Sequence, residues 1–599
     1  MFEITIFFLI ASLFSVFTGR FLLSSLGINL NNNQFSYSEQ GFFGLILLSF
    51  IALLLNFFYP IDSNAASFAI LIPFLQIFFE FKRLNNKLIK QIFFHSLIIS
   101  IVCFIFISFD NVNRPDAGIY HLPYIKILNE FKIFSGVVSL NPVFGATSII
   151  QYTSAIFNNF FFKDVGITIP LALLAIYLIE YFVRQFFLKN NDTSYRLLLF
   201  LIITYIFLEM NRYSEYGNDN PAHLGLFYFV SLIFRKGFSL KNDKNFKIMT
   251  LVSLFIFLNK LFFMFILIFP VTIWIKNKLY LKRKFFPFFS IVFFSLWIIK
   301  NVFISGCAIY PVKITCIERL SWYSNKPKFI IAAENLSQFS ELHAKNWSDI
   351  VDNEKYLNYE NNIKKKKIFL KNFNWLTSSS TSENAKYGFL KIFNNYIFII
   401  FIILIIYFFY NPKLPKRKKD SLNFNKKFIL TVSIISTVIL FYKFPLGRYG
   451  TSYFIILIYF LFYFLFKNNI KILDQKKIKK TFTYLVVFTG LIFLSKNVSK
   501  IALNFDVEYY QKPWPRIYEN KDELKSLNAG SNKPVNHNQI FKDNLLKIYY
   551  INDLNYWTSD RYITCMYNKS PCAQTSNNFN QFKILKTKRD YYIVKLNKD

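Results

Sequence analysis

The sequence predicts an all-α polytopic membrane protein with a small extracytoplasmic α/β domain at its C-terminus. Three observations predict it. Hydrophobic residues make up 54% of the 599, and apolar runs of roughly 17 to 22 residues recur from end to end, the length at which a helix crosses a bilayer core. These runs are continuously apolar rather than alternating, which excludes a β-barrel, the other structure that satisfies its own backbone in lipid. The Lys and Arg excess, behind a formal charge of +36, collects in short loops such as Pro415 to Lys419 and Gln475 to Lys480. That is the positive-inside pattern and not the basic stripe of a nucleic-acid binder, so nucleic acid is not an expected partner.

In order along the chain, the apolar runs predict about fourteen crossings, near 4–24, 41–58, 66–82, 91–109, 165–183, 196–210, 220–234, 247–259, 261–275, 285–303, 390–410, 427–443, 451–466 and 481–496. Clustered Lys and Arg place loops 82–90, 184–196, 235–247, 276–284, 411–427 and 467–480 in the cytoplasm. The alternate segments then face outward: 110–164, 211–219, 304–389, 444–450 and the tail from Val498 to Asp599. A transmembrane domain over 1–497 thus carries two large outward loops, 110–164 and 304–389, ahead of an outward domain over 498–599. The N-terminal run lacks a basic start and a small-residue cleavage site, so it reads as a crossing and not a signal peptide.

The cysteines test this orientation independently. Cys103 lies within a crossing as a small apolar filler. The other four form two close pairs, Cys307 with Cys316 and Cys565 with Cys572, both in segments that charge already places outside. Outward pairs without CxxC spacing read as structural disulfides, with a zinc site as the rival. The loop 304–389 is too long for a bare connector and is expected to cover or line a site. The tail ends in a β-like stretch, Tyr591 to Lys595, and is large enough for a small α/β domain.

Ionisable residues at the membrane surface mark the candidate site. Loop 110–164 opens with Asp110 and Asp116-Ala-Gly-Ile-Tyr120-His121, followed by a helical pattern through Phe131 broken at Pro123. Asp116 has two readings, a helix cap that complements exposed amides and a general base beside Tyr120 and His121. The same pair of readings holds for Asp219, which opens the next crossing after an outward loop, with Pro221 in the first turn and His223 one turn further in. The short outward loop before residue 450 ends in Arg448-Tyr449; Arg448 either snorkels to headgroups or binds a lipid phosphate in bidentate fashion.

These motifs, in this order and on one side, resemble the GT-C superfamily of membrane glycosyltransferases, in particular the branch with protein mannosyltransferases and the lipid A aminoarabinose transferase. Asp116 to His121 is similar to the family's acidic motif in the first large outward loop, Asp219 to its later helix-opening Asp, and Arg448-Tyr449 to its late Arg-Tyr pair. The resemblance covers roughly residues 90 to 470. It implies a GT-C fold in the bacterial cytoplasmic membrane, and transfer of a sugar from a polyprenyl-phosphate donor, with inversion, to a glycan, lipid or protein acceptor on the outer face. In that scheme Asp116 is the base, Asp219 with Tyr120 and His121 shapes the sugar pocket, and Arg448 holds the lipid phosphate. Asp116 and Asp219 are thus the catalytic candidates, and Asp110, Tyr120, His121, His223, Arg448 and Tyr449 the substrate-binding ones. Position 117 is Ala where many relatives carry a second acidic residue, so a divalent cation has no clear ligand set and the cofactor stays open. A polymerase or ligase of surface polysaccharide, a transporter and a non-catalytic relative are the alternative readings.

Overall fold

The computed structural model describes residues 2–28, 35–71, 86–107, 117–188, 191–210, 219–282, 286–323, 337, 340–341, 423–444, 447–466, 475–504, 546–551, 554–559, 567, 570–574 and 582–596. In chain order the helices are α1 (Phe2–Ser25), α2 (Tyr37–Asn56), α3 (Asn86–Ile107), α4 (Leu122–Glu130), α5 (Ile149–Phe157), α6 (Ile169–Phe187), α7 (Thr193–Glu209), α8 (Asp219–Phe234), α9 (Asp243–Asn259), α10 (Ile268–Lys276), α11 (Phe288–Ser305), α12 (Phe424–Lys443), α13 (Gly447–Phe466) and α14 (Gln475–Asn504). Among the described residues seven helices are long and apolar enough to cross a membrane, and Thr193–Leu208, Leu261–Lys276 and Tyr449–Phe464 are shorter apolar helices. The chain is a helical membrane protein. Of the expected crossings, 390–410 and most of 66–82 lie outside the described residues.

The interior of the bundle is set by α2, α6, α8 and α9. Almost every residue of α8 from Asn220 to Phe234 is buried, as a helix apolar on all faces must be. The closest approach joins α1 to α2. A Cβ on Gly19 would stand 1.6 Å from the Gln40 carbonyl oxygen, and one on Gly44 would stand 1.8 Å from that of Ser15. Small residues let the two backbones touch, which is how helices gain packing energy where lipid is as apolar as leucine. Near the start of α2, the buried Glu39 carboxylate accepts from Arg235 at 2.8 Å and Tyr228 at 3.0 Å. Arg235 follows the C-terminal end of α8, so this ion pair ties one end of the bundle.

At the opposite end gather the three segments that charge placed outward. Ser135 donates to Tyr592 O and accepts from Val594 N–H, adding one extended residue to the β4–β5 hairpin (Phe582–Lys586 and Tyr592–Leu596). The Tyr567 hydroxyl donates to Asn129 at 2.9 Å and accepts from Asn158, and Tyr591 donates to Phe57 O at 2.7 Å. Cys307 and Cys316 are bonded, and Tyr310 between them donates to Pro142 O at 2.9 Å. Cys572 is also in a disulfide; its expected partner, Cys565, lies outside the described residues. Cys103 is buried and free.

Two expectations are amended. Pro123 does not break a helix; it sits in the first turn of α4, where its missing N–H costs nothing. The expected boundary at 497/498 falls inside α14, which continues to Asn504. Of the expected α/β tail the described residues show strands: a three-stranded sheet with β1 (Leu546–Ile551), β2 (Leu554–Ser559) and β3 (Cys572–Gln574), and the β4–β5 hairpin.

The α1–α2 contact yields a pair of opposite outcomes. Gly44→Ala forces backbone apart and is expected to cost about 3 kcal/mol or to prevent folding, at the upper range for overpacking. Gly490→Ala, whose Cβ meets Phe207 at an ordinary 3.6 Å, is expected to stabilise α14 by up to about 1 kcal/mol. Thermal unfolding of the two purified variants in detergent checks both signs.

Candidate functional site

The site is built around the corner where α9 ends. Asn259 turns its amide back to donate to Phe255 O at 2.8 Å. Lys260 then takes an extended conformation, φ −154° and ψ 123°, before a 3₁₀ stretch, Leu261–Leu267, leads into α10. The corner therefore places a single cation between two apolar crossings, with no polar loop to solvate it. Lys260 is buried, and its ammonium pairs with the Asp219 carboxylate at the start of α8. The ammonium also lies 4.3 Å from the centre of the Tyr449 ring and 5.6 Å from that of Phe262, a cation–π arrangement that shields it from the surroundings.

The second and third motifs meet here. His223, one turn into α8, is buried and shares a 2.7 Å hydrogen bond with Ser452 of α13, while its ring packs edge-on to Phe263. Tyr449, in the first turn of α13, packs on Phe262 and Phe444. Arg448 precedes it in the same turn; its side chain lies outside the described residues. From the expected cover, Glu341 reaches Lys443 at the end of α12, at 3.1 Å, one residue before Phe444.

The first motif joins the same corner through buried hydrogen bonds. Ala117–His121 form one π-helical turn leading into α4, a rare backbone form that recurs at functional sites, and the Tyr120 and His121 rings lie 4.1 Å apart. His121 Nδ1 and Gln151 Nε2 are 2.9 Å apart; Gln151 Oε1 accepts from the Ser148 backbone N–H at 2.8 Å; and Ser148 Oγ donates to Asn259 Oδ1 at 2.7 Å. A backbone N–H can only donate, so Gln151 must present its carbonyl to Ser148 and its amide hydrogens to His121. His121 Nδ1 therefore accepts, which puts the ring proton on Nε2 of a neutral imidazole. Beside this chain the Tyr124 and Tyr152 hydroxyls are 3.2 Å apart, and burial raises the pKa of both phenols above the ordinary value.

The structure thus brings Tyr120, His121, Asp219, His223 and Tyr449 around Asn259 and Lys260, two residues absent from the expected set. Asp110 and Asp116 lie outside the described residues. Asp219, expected as a catalytic carboxylate or cap, lies in the first turn of α8 and pairs with Lys260. Lys260 had a signal in the sequence: it is the lone charge between the runs 247–259 and 261–275, and a cation held there is costly unless it is used. Among the described residues no group of three or more His, Cys, Asp or Glu side chains converges as a metal would require.

A family described only as a domain of unknown function, DUF8201, matches residues 1–455. The chain belongs to the DUF8201 family. No curated protein matches it, and no solved structure does. All the side chains joined at the α9 corner fall within the DUF8201 region, whereas the tail that docks on Asn129 and Ser135 lies beyond it.

The pair at the corner makes a thermodynamic prediction. Asp219→Asn strands a buried ammonium and Lys260→Met a carboxylate, so each alone is expected to cost about 3–5 kcal/mol, as for other buried pairs broken from one side. The double variant should cost far less than the sum. Equilibrium unfolding of the four proteins of this cycle decides it; additive losses would mean the two charges do not interact.

Proposed function

We propose that this protein transfers a sugar from a polyprenyl-phosphate carrier to an envelope glycan, lipid or protein on the outer face of the bacterial cytoplasmic membrane. The observation that carries the reading is that Asp219 and Tyr449 meet on the buried cation Lys260, while Tyr120-His121 reach the adjacent Asn259 through Gln151 and Ser148. A lipid-linked donor needs a cation near the membrane surface for its phosphate, and a polar wall for its sugar. Lys260 supplies the first together with Arg448, which belongs to a helix whose first-turn amides favour an anion. His121, Tyr120 and His223 supply the second.

The chemistry follows from these parts. The acceptor hydroxyl oxygen attacks the anomeric carbon, its proton passes to the Asp116 carboxylate, and the bond to phosphate breaks with its electron pair on the phosphate oxygen. Lys260 and Arg448 neutralise that leaving group. Asp219 keeps the ammonium paired until a phosphate takes its place, a role distinct from that of the base. The described groups, Tyr120, His121, Asp219, His223, Lys260 and Tyr449, belong to one end of the bundle, which suits transfer at a surface better than the midplane site of a transporter.

A deletion strain should lose one sugar residue from a surface glycan and accumulate its polyprenyl-phosphate precursor. Accumulation of finished repeat units instead would move the assignment to a polymerase or ligase. In membrane vesicles supplied with lipid-linked donor, Asp116→Asn is expected to insert normally and to lower transfer by about a hundredfold, the usual scale for a lost general base. Full activity in that variant would leave Asp116 as a helix cap alone.

A further inference from the structure

A second lysine sits beside the corner without a carboxylate. Lys300, near the C-terminal end of α11, is completely buried. Its ammonium lies 3.4 Å from the centre of the Trp297 ring and donates to Thr147 Oγ1 at 2.7 Å. Among the described residues no acidic side chain pairs with it, whereas Lys260 has Asp219 and Arg235 has Glu39. A hydroxyl and an indole face offset only part of the desolvation of an ammonium, so a lysine here is costlier than a methionine that would fill the same volume. Such a cost at the edge of a polar site marks a position used for something besides packing.

The neighbour on which Lys300 acts indicates the use. Thr147 immediately precedes Ser148, and Ser148 is the residue that reaches across to Asn259 at the corner carrying Lys260. The turn at 147–148 is thus held from two sides, by Lys300 on α11 and by Asn259 on α9. Tyr152, one turn along α5, packs against Trp297 at 6.1 Å and closes the same group. We propose that Lys300 is a positioning residue that fixes the Thr147–Ser148 turn and, through Ser148, the Asn259–Lys260 corner. The positioning itself stands on the hydrogen bonds alone; its value for catalysis rests on the sugar-transfer reading above.

The test uses hydrogen–deuterium exchange on the full-length protein in lipid nanodiscs, with Lys300→Met, Thr147→Val and Thr147→Ser. A hydrogen bond from a charged donor restrains its acceptor enough that its loss should speed exchange by about tenfold or more in peptides covering 147–151 and 256–260. Lys300→Met and Thr147→Val should both do so without change elsewhere and without a lower melting temperature, and Thr147→Ser should behave as the parent. Unchanged exchange in these peptides overturns the proposal. So does faster exchange throughout the bundle with a fall in melting temperature, which would make Lys300 a general structural support. The same variants in the deletion strain should show sugar transfer falling in step with local loosening. Local loosening in a protein whose parent gene does not restore the glycan would leave the positioning intact and remove the sugar-transfer reading.

Discussion

The Lys260 ammonium, held between two apolar crossings, pairs with a carboxylate, and the arrangement of this end of the bundle follows from how it finds one. The extended residue at the end of α9 directs the side chain toward the start of α8, where Asp219 waits. Burying either charge of this pair alone is costly, because desolvation of one ion outweighs what a single neutral hydrogen bond returns. The pair therefore fixes the height of α9 against α8. Tyr449 and Phe262, stacked over the ammonium, set α13 and the start of the next crossing in the same frame.

The far end of the bundle uses the same device. Glu39, buried at the start of α2, takes its charge partner from Arg235 just past α8. Between these two ion pairs the helices pack closely, as at Gly19 and Gly44, with buried hydrogen bonds such as that between Tyr181 and Ser231. Helix α8 is thus tied at its start to α9 and at its end to α2, which leaves it little freedom to slide. A bundle held so at both ends offers a rigid floor on which loop 117–164 and the tail can dock, and their own anchors, Ser135 on β5 and Tyr567 between Asn129 and Asn158, are all polar. Such anchors hold only if the floor beneath does not shift.

Much of this was readable along the chain, and the reason is the medium. Long apolar runs become α1, α2, α3, α6, α11 and α12 because lipid permits little else, and the close spacing of Cys307 and Cys316 announced the disulfide that joins them. The motifs at Tyr120-His121, Asp219-His223 and Tyr449 were visible as polar residues where polarity is costly. Their meeting point was not. Ser148 touches Asn259 across 111 positions and His223 touches Ser452 across 229, and no local pattern encodes either contact. Lys260 occupies a one-residue corner, too short to register as a loop, although its isolation between two crossings was itself the clue. Pro123 was misread because a proline ends one helix and begins the next with equal ease, and only the preceding π-helical turn decides which.

The account stands or falls on Lys260 being the point where donor and acceptor chemistry meet. A cryo-electron-microscopy structure of the protein in nanodiscs loaded with polyprenyl phosphate tests it most directly. The account predicts phosphate density in contact with the Lys260 ammonium beside the Tyr449 ring, with the Asp116 carboxylate opening on the same cavity within reach of one bridging water. Phosphate bound elsewhere with Asp219 still holding Lys260, or Asp116 facing a separate cavity, would contradict it.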